Sequence, residues 1–89
     1  MSAVVIIGYK PSFVRQYRRF SPELQQDIQA AITRFQSDPR DPSLRVHKLG
    51  GKLRGFLSFS VNYRYRIVFL YEKKDTAVLL AVGDHDVYR

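Results

Sequence analysis

The fold of this chain is decided by residues 56–82, which read FLSFSVNYRYRIVFLYEKKDTAVLLAV. Apolar and polar side chains alternate over residues 56–61, and a second alternating run covers residues 64–71. A period of two predicts β-strands that bury one face. Polar residues between the two runs and at 72–75 indicate turns, and the continuous apolar run over residues 76–82 is typical of a central strand. These residues therefore predict a three-stranded antiparallel meander.

The strand over residues 64–71 has two unlike faces. Tyr65 and Ile67 fall on the side that we expect to face the core, and Arg64 and Arg66 fall on the other side. Because alternate side chains of a strand share a face, the face that carries the two arginines carries apolar side chains further along the same strand. One sheet face should therefore change from apolar to cationic at one end.

The residues before the meander predict one strand and a helical hairpin. Residues 3–7 are rich in β-branched side chains and predict a strand that ends near Gly8. Ser12 is the expected cap of a first helix, and Ser21, followed by proline, is the expected cap of a second. The buried side of that second helix should carry Leu24, Ile28, Ala31, Ile32 and Phe35. We predict an α+β fold, with an N-terminal strand and a helical hairpin packed on a small antiparallel sheet, as one domain over residues 1–89.

Charge and composition narrow the function. The 89 residues carry 15 Lys and Arg against 8 Asp and Glu, a net charge of +7, and no cysteine. The lack of cysteine excludes disulfides, cysteine-ligated metal sites and a cysteine nucleophile. No apolar run is long enough to span a membrane, and we expect a cytoplasmic protein. Residues 42–71 contain no Asp or Glu, which favours a polyanion as partner. Their basic residues are Arg45, Lys48, Lys52, Arg54, Arg64 and Arg66.

The two histidines, His47 and His85, suggest proton-transfer chemistry on RNA. RNA supplies its own nucleophile, the 2′-hydroxyl, so that a nuclease needs only a base, a cation on the phosphorane and an acid for the leaving oxygen. The alternative is that both histidines are structural and that the basic segment is simply solvated. A metal site built from His85, Asp84 and Asp86 is disfavoured by the cationic surroundings, and we predict no metal.

Three motifs in order resemble a known family. They are HKLGGKLRGF at residues 47–56, YRIVF at 65–69 and GDHDVY at 83–88, and they follow the helical hairpin. Together they resemble the RelE/ParE toxin superfamily of bacterial toxin–antitoxin pairs, over roughly residues 11–88. The similarity is greatest to the RelE-type mRNA endoribonucleases of the YafQ-like and YoeB-like branches.

The resemblance implies a cytoplasmic toxin that cuts mRNA on the ribosome without metal or cofactor. The implied partners are a cognate antitoxin, the ribosome and mRNA, with no membrane. His47 falls where these toxins have a proposed base, Arg66 on the arginine that stabilises the transition state, and His85 on the C-terminal acid. Tyr88 matches a terminal aromatic near the site. The residues implied to bind RNA are Lys48, Lys52, Arg54 and Arg64.

Two other functions stay open at this point. A ParE-like toxin of the same fold would inhibit DNA gyrase and would have no chemical need for two histidines and an arginine. A catalytically inactive relative would bind RNA without cutting it. The chain also departs from the YafQ-like pattern, since Ser60 and Arg64 stand where that pattern has a second histidine and an aspartate.

Overall fold

The structure, a computed structural model, describes residues 4–84 and Val87. Helices α1 and α2 cover Pro11–Arg18 and Pro22–Ser37. The strands of these residues are β1 (Ile6–Tyr9), β2 (His47–Lys48), β3 (Leu57–Ser60), β4 (Arg66–Lys73) and β5 (Thr76–Gly83). Within this part of the chain, no helix is long and apolar enough to cross a lipid bilayer.

The five strands of the described residues form one sheet in the order β1-β5-β4-β3-β2. The predicted meander is confirmed as β3, β4 and β5, and the apolar β5 lies inside the sheet between β1 and β4. β1 joins parallel to β5, while the other neighbours are antiparallel. The predicted α+β architecture, a helical hairpin on a small and mostly antiparallel sheet, is confirmed.

Helix α2 supplies the centre of the core. Its cap is the predicted one, because the Ser21 hydroxyl accepts a hydrogen bond from the Leu24 amide at 3.3 Å. Phe35 is fully buried and stacks on Phe59, with ring centroids 4.6 Å apart, and it meets Phe69 edge-on at 4.9 Å. Such aromatic pairs add to the free energy of area burial. The three phenylalanines therefore attach α2 to β3 and β4.

Helix α1 begins earlier than predicted, and Ser12 is not its cap. Lys10 occupies the cap position and Pro11 the first helical position, since the proline ring already holds the helical φ. The Ser12 hydroxyl instead donates to the Leu80 carbonyl at 2.6 Å, and the Val82 amide donates to Gln16 at 2.8 Å. These bonds satisfy backbone groups beside a register shift between β4 and β5.

The first strand also differs from its predicted bounds. It covers Ile6–Tyr9, so it continues past Gly8, and position 3 lies outside the described residues. Val5 is not part of the strand because its amide donates to the Gln36 carbonyl at 3.0 Å and its own carbonyl accepts from the Gln36 side chain at 3.1 Å. The end of α2 thus decides where β1 can begin.

Candidate active site

The side of the sheet turned away from α1 and α2 carries the polar residues of interest, and we call it the outer face. His47 pairs with Ser58 across β2 and β3, and Ser60 pairs with Arg66 across β3 and β4. Directly opposite residues project to the same face, and these four alternate with core residues such as Phe59 and Ile67. At about 4.8 Å between strands and about 3.4 Å per residue, the Cα atoms of His47 and Arg66 lie roughly 12 Å apart. The outer face therefore brings the predicted base and the predicted phosphate-binding arginine together.

The residues that precede His47 in the chain form a tight turn with a side-chain cap. The Ser43 amide and hydroxyl donate to the Asp41 carboxylate at 2.9 and 2.8 Å, which lowers the pKa of that carboxyl. The short 3-10 helix Pro42–Leu44 follows, and Arg45 then takes a left-handed conformation with φ of 50°. This conformation is uncommon for a residue with a side chain, and it directs the Arg45 carbonyl toward the His47 ring.

The Arg45 carbonyl decides which nitrogen of His47 carries the proton. It lies 2.8 Å from Nδ1, and a carbonyl can only accept, so Nδ1 is the protonated nitrogen of the neutral ring. Nε2 then keeps its lone pair and lies 3.4 Å from the Ser58 hydroxyl. The His47 side chain is exposed, so a ligand can approach it from solvent. His47 is thus held in the tautomer that a general base at Nε2 requires.

Arg66 is anchored by the turn between β3 and β4. Its Nη1 donates to the Asn62 carbonyl at 2.6 Å and to the Tyr65 carbonyl at 3.1 Å. In the part of the chain that the structure describes, both hydrogen bonds of this guanidinium use Nη1, which leaves Nη2 and Nε for a ligand. The Asn62 side chain closes the same turn, because its Oδ1 accepts from the amides of Arg64 and Tyr65 at 2.9 and 2.8 Å. The turn predicted at residues 62–63 is confirmed.

Replacing Asn62 should therefore loosen the anchor of Arg66. We expect Asn62→Ala to lower the free energy of unfolding by about 1–2 kcal/mol, because two backbone amides lose their acceptor. Asn62→Asp keeps an acceptor oxygen at the same place and is the matched control, with less than half of that loss. Urea unfolding of both variants tests this, and equal losses in the two would contradict the role of Oδ1.

Arg64 does not lie on the strand, contrary to the prediction. β4 begins at Arg66, because the Asn62 side chain holds the preceding residues in the turn. The exposed Arg64 guanidinium lies 5.5 Å from the Tyr65 ring centroid and 4.0 Å from the Asp84 carboxylate. An exposed ion pair of this length contributes on the order of 0.5 kcal/mol. Arg64 therefore lies two residues before Arg66 in the chain but is not part of β4.

The predicted RNA-binding residues of the basic segment lie at the end of β3 that is away from Arg66. Lys48 pairs with Leu57, a residue of the core side, so Lys48 does not share the outer face with His47. Lys52 and Arg54 are exposed in the loop before β3. This loop joins the Leu57 end of β3, whereas Arg66 lies beside the Ser60 end, about 10 Å away at about 3.4 Å per residue.

The basic loop encloses a hollow of its own. The hollow has a volume of about 760 Å³ and is lined by Lys48, Leu49, Gly50, Gly51, Arg54, Gly55, Phe56 and Leu57. Gly51 and Gly55 have φ of 60° and 98°, values that favour glycine, so the backbone of the loop depends on both residues. The predicted cationic segment is therefore a separate concave surface at the edge of the sheet.

The end of β5 returns the chain to the outer face beside Arg66. Gly83 pairs with Arg66, and a methyl group at position 83 would lie 3.4 Å from Cβ of Val87. The Val87 amide donates to the Asp84 carbonyl at 3.0 Å, which closes a short turn. The predicted site residues His85 and Tyr88 lie outside the described residues.

Sequence reasoning missed two contributions to this site. Asn62 was predicted only as part of a turn, although its carbonyl and its side chain together hold Arg66. The serines of β3 were predicted as the polar side of a strand, but Ser58 and Ser60 are both buried. A run of serines facing an arginine was the available signal. Among the described residues, no three His, Asp or Glu side chains come close enough to hold a metal ion.

Comparison with known proteins gives structural matches alone. No protein-family model and no curated protein sequence matches the chain. The YoeB/ParE toxin from Agrobacterium tumefaciens matches with a TM-score of 0.74 at 15% identity, covering 91% of this chain and 99% of that one. YafQ from E. coli strain BL21(DE3) matches with a TM-score of 0.73 at 12% identity, covering 94% and 97%. The chain has the RelE-like toxin fold.

One of the structures similar to this chain comes from a toxin–antitoxin complex. The RelBE2 complex from Mycobacterium tuberculosis contains a chain that matches with a TM-score of 0.68 at 20% identity, covering 96% of this chain and 95% of that one. The resemblance predicted from the sequence motifs is therefore confirmed at the level of the RelE-like fold.

Proposed function

We propose that this protein is a toxin of a toxin–antitoxin pair that cuts mRNA on the ribosome as a metal-independent endoribonuclease. The observation that carries the proposal is the outer face, where His47, with its Nε2 lone pair, lies across β3 from the anchored guanidinium of Arg66. This pairing supplies a base and a phosphate-binding cation on one surface, which a ligase, a redox enzyme or a purely structural protein does not require.

The proposed reaction uses the 2′-hydroxyl of the RNA as nucleophile. Its proton passes to Nε2 of His47 while the 2′-oxygen forms a bond to the adjacent phosphorus. Nη2 and Nε of Arg66 donate to the phosphorane oxygens, where negative charge increases in the transition state. The bond from phosphorus to the 5′-oxygen breaks, and His85 gives that oxygen its proton. The products are a 2′,3′-cyclic phosphate and a 5′-hydroxyl.

The remaining residues are proposed to hold the RNA on either side of the reacting phosphate. Lys52 and Arg54 belong to the loop that enters β3 at Leu57, and Arg66 lies beside the other end of that strand, about 10 Å away. They are therefore proposed to contact a neighbouring phosphate rather than the reacting one. Arg64 in the turn and Lys48 at the sheet edge would add further backbone contacts. Tyr88 is proposed to stack on an unpaired base.

A second protein should neutralise this activity. The RelBE2 match is a complex of a toxin with its antitoxin, and the acid-free basic segment of the present chain favours an acidic partner. We therefore propose a cognate antitoxin that covers the cationic end of the outer face.

The proposal is tested by mapping the 5′ ends of cellular mRNA after brief induction of the protein. We expect new 5′-hydroxyl ends within translated regions, and we expect them to disappear when translation initiation is blocked beforehand. Induction of Arg40→Ala, which removes one exposed charge from the loop after α2, is the control and should give the same ends.

Other outcomes would favour the alternatives. Intact mRNA together with a DNA-damage response would indicate a ParE-like inhibitor of DNA gyrase. Binding of RNA with a steep salt dependence, and without new ends, would indicate an inactive RNA-binding relative.

A further inference from the structure

The hydroxyl of Ser60 is buried without a hydrogen-bond partner. Ser60 is 6% exposed, and its Oγ has no donor or acceptor within reach among the described residues. Buried polar groups in folded proteins are nearly always paired, because an unpaired one loses its hydrogen bonds to water and gains nothing in return. An orphaned hydroxyl at the end of β3, on the face that carries Arg66, therefore indicates a group that is completed by a ligand.

The position of Ser60 identifies the chemistry of that ligand. Its cross-strand partner is Arg66, and the neighbouring outer-face residue on β3 is Ser58, which contacts His47. Arg66 keeps Nη2 and Nε for a ligand while Nη1 is bound to the turn. A hydroxyl donor beside two guanidinium donors matches an anion with several oxygens, and a phosphate group has that geometry.

We propose that the Ser60 hydroxyl is a ligand of the phosphate held by Arg66, donating its proton to a non-bridging oxygen. The inference rests on the proposed function for the identity of the anion as an RNA phosphate. Ser60 is already removed from water by the fold, so binding gains this hydrogen bond without further desolvation of the hydroxyl. The bond would turn the phosphate so that the 2′-oxygen approaches from the side of His47.

The test compares wild type with Ser60→Ala in two measurements. The first is the affinity for a 2′-O-methylated RNA trinucleotide, which cannot be cut, measured by NMR titration. Inorganic phosphate is titrated as a second ligand. We expect the variant to bind the trinucleotide about tenfold more weakly, the effect of losing one hydrogen bond to a charged group.

The second is thermal unfolding without ligand, in which the variant should melt at a higher temperature because an unpaired buried hydroxyl is gone. Ser37→Ala removes an exposed hydroxyl at the end of α2 and is the control, with unchanged affinity.

Opposite shifts in affinity and melting temperature are a combination that a purely structural serine cannot produce. Equal trinucleotide affinity in wild type and Ser60→Ala overturns the inference, and so does a lower melting temperature, which would mean that the hydroxyl is bonded within the fold. The inference also falls if wild type binds neither the trinucleotide nor phosphate. If wild type leaves mRNA intact in cells but Ser60→Ala still weakens binding, the proposed nuclease fails and the anion site stands.

Discussion

Arg66→Ala should reduce mRNA cleavage by about 10²–10³-fold and abolish growth arrest, the effect of removing one strong donor to a transition-state oxyanion. The fold should survive, because the turn beside Arg66 is closed by the Asn62 side chain and not by the guanidinium. Arg66→Lys should recover little of the loss, since one ammonium group cannot contact the Asn62 carbonyl and fork onto the phosphate at once. The ratio of the cleavage rates of variant and wild type is measured on translating ribosomes at equal protein concentration.

The matched control for this prediction is Arg54→Ala. It removes the same charge from the basic loop, which joins the end of β3 away from Arg66, and should weaken RNA binding with a much smaller effect on the cleavage rate. Circular dichroism of each variant verifies the fold. Full toxicity of Arg66→Ala would exclude the outer face as the active site.

Phe35→Ala should be the most destabilising single truncation in the core, with a loss of roughly 3–5 kcal/mol. The side chain is fully buried and contacts the rings of Phe59 and Phe69 from α2, so its removal leaves a cavity between the helix and the sheet. A domain of this size has a total stability of about 5–10 kcal/mol. The variant should therefore be partly unfolded at growth temperature and lose toxicity through low abundance.

Unfolding in guanidinium chloride measures this loss of free energy as a shift in the midpoint of the transition, with the slope of the transition unchanged. Gln26→Ala, an exposed position on the same helix, is the control and should change the unfolding free energy by less than about 0.5 kcal/mol. Where Phe35→Ala does not accumulate, Phe35→Leu keeps most of the volume and gives a measurable fraction of the effect. A loss below about 1 kcal/mol for Phe35→Ala would contradict the central role of the aromatic cluster.

Local patterns were sufficient to predict the two faces of the meander. Phe59 and Ile67 belong to the core, and Ser60 and Arg66 lie on the outer face, as alternation requires. The same holds for α2, since the Ser21 cap lies within four residues of the groups that it bonds. Patterns of this kind depend only on residues that are neighbours in the chain, and the structure confirms them for this reason.

Predictions that depended on where an element begins were less accurate. Ser12 was predicted as a cap from its residue type, but Pro11 takes the first helical position and Ser12 bonds to β5 instead. Arg64 was placed on a strand by its alternation, and the Asn62 side chain keeps it in the turn. In both cases a competing contact from a specific neighbour outweighed the local preference.

The candidate site itself was predicted in part. His47 and Arg66 were proposed from residue type and resemblance, and the structure places both on the outer face. The tautomer of His47, the anchor of Arg66 and the orphaned hydroxyl of Ser60 were not predictable, because each depends on one distance of about 3 Å between groups brought together by pairing.

The amino-acid order by itself determined the types of both helices and of β1, β3, β4 and β5, and the buried faces of α2 and of the meander. It also determined the concentration of positive charge in residues 42–71, since all of these follow from periodicity, capping and residue counts. Tertiary structure alone decided that β1 lies parallel beside β5, that the basic loop and Arg66 sit at opposite ends of β3, and that a carbonyl at Arg45 selects the basic nitrogen of His47. The physical reason is that strand pairing converts residues far apart in the chain into neighbours, and no local pattern encodes which pairs will meet.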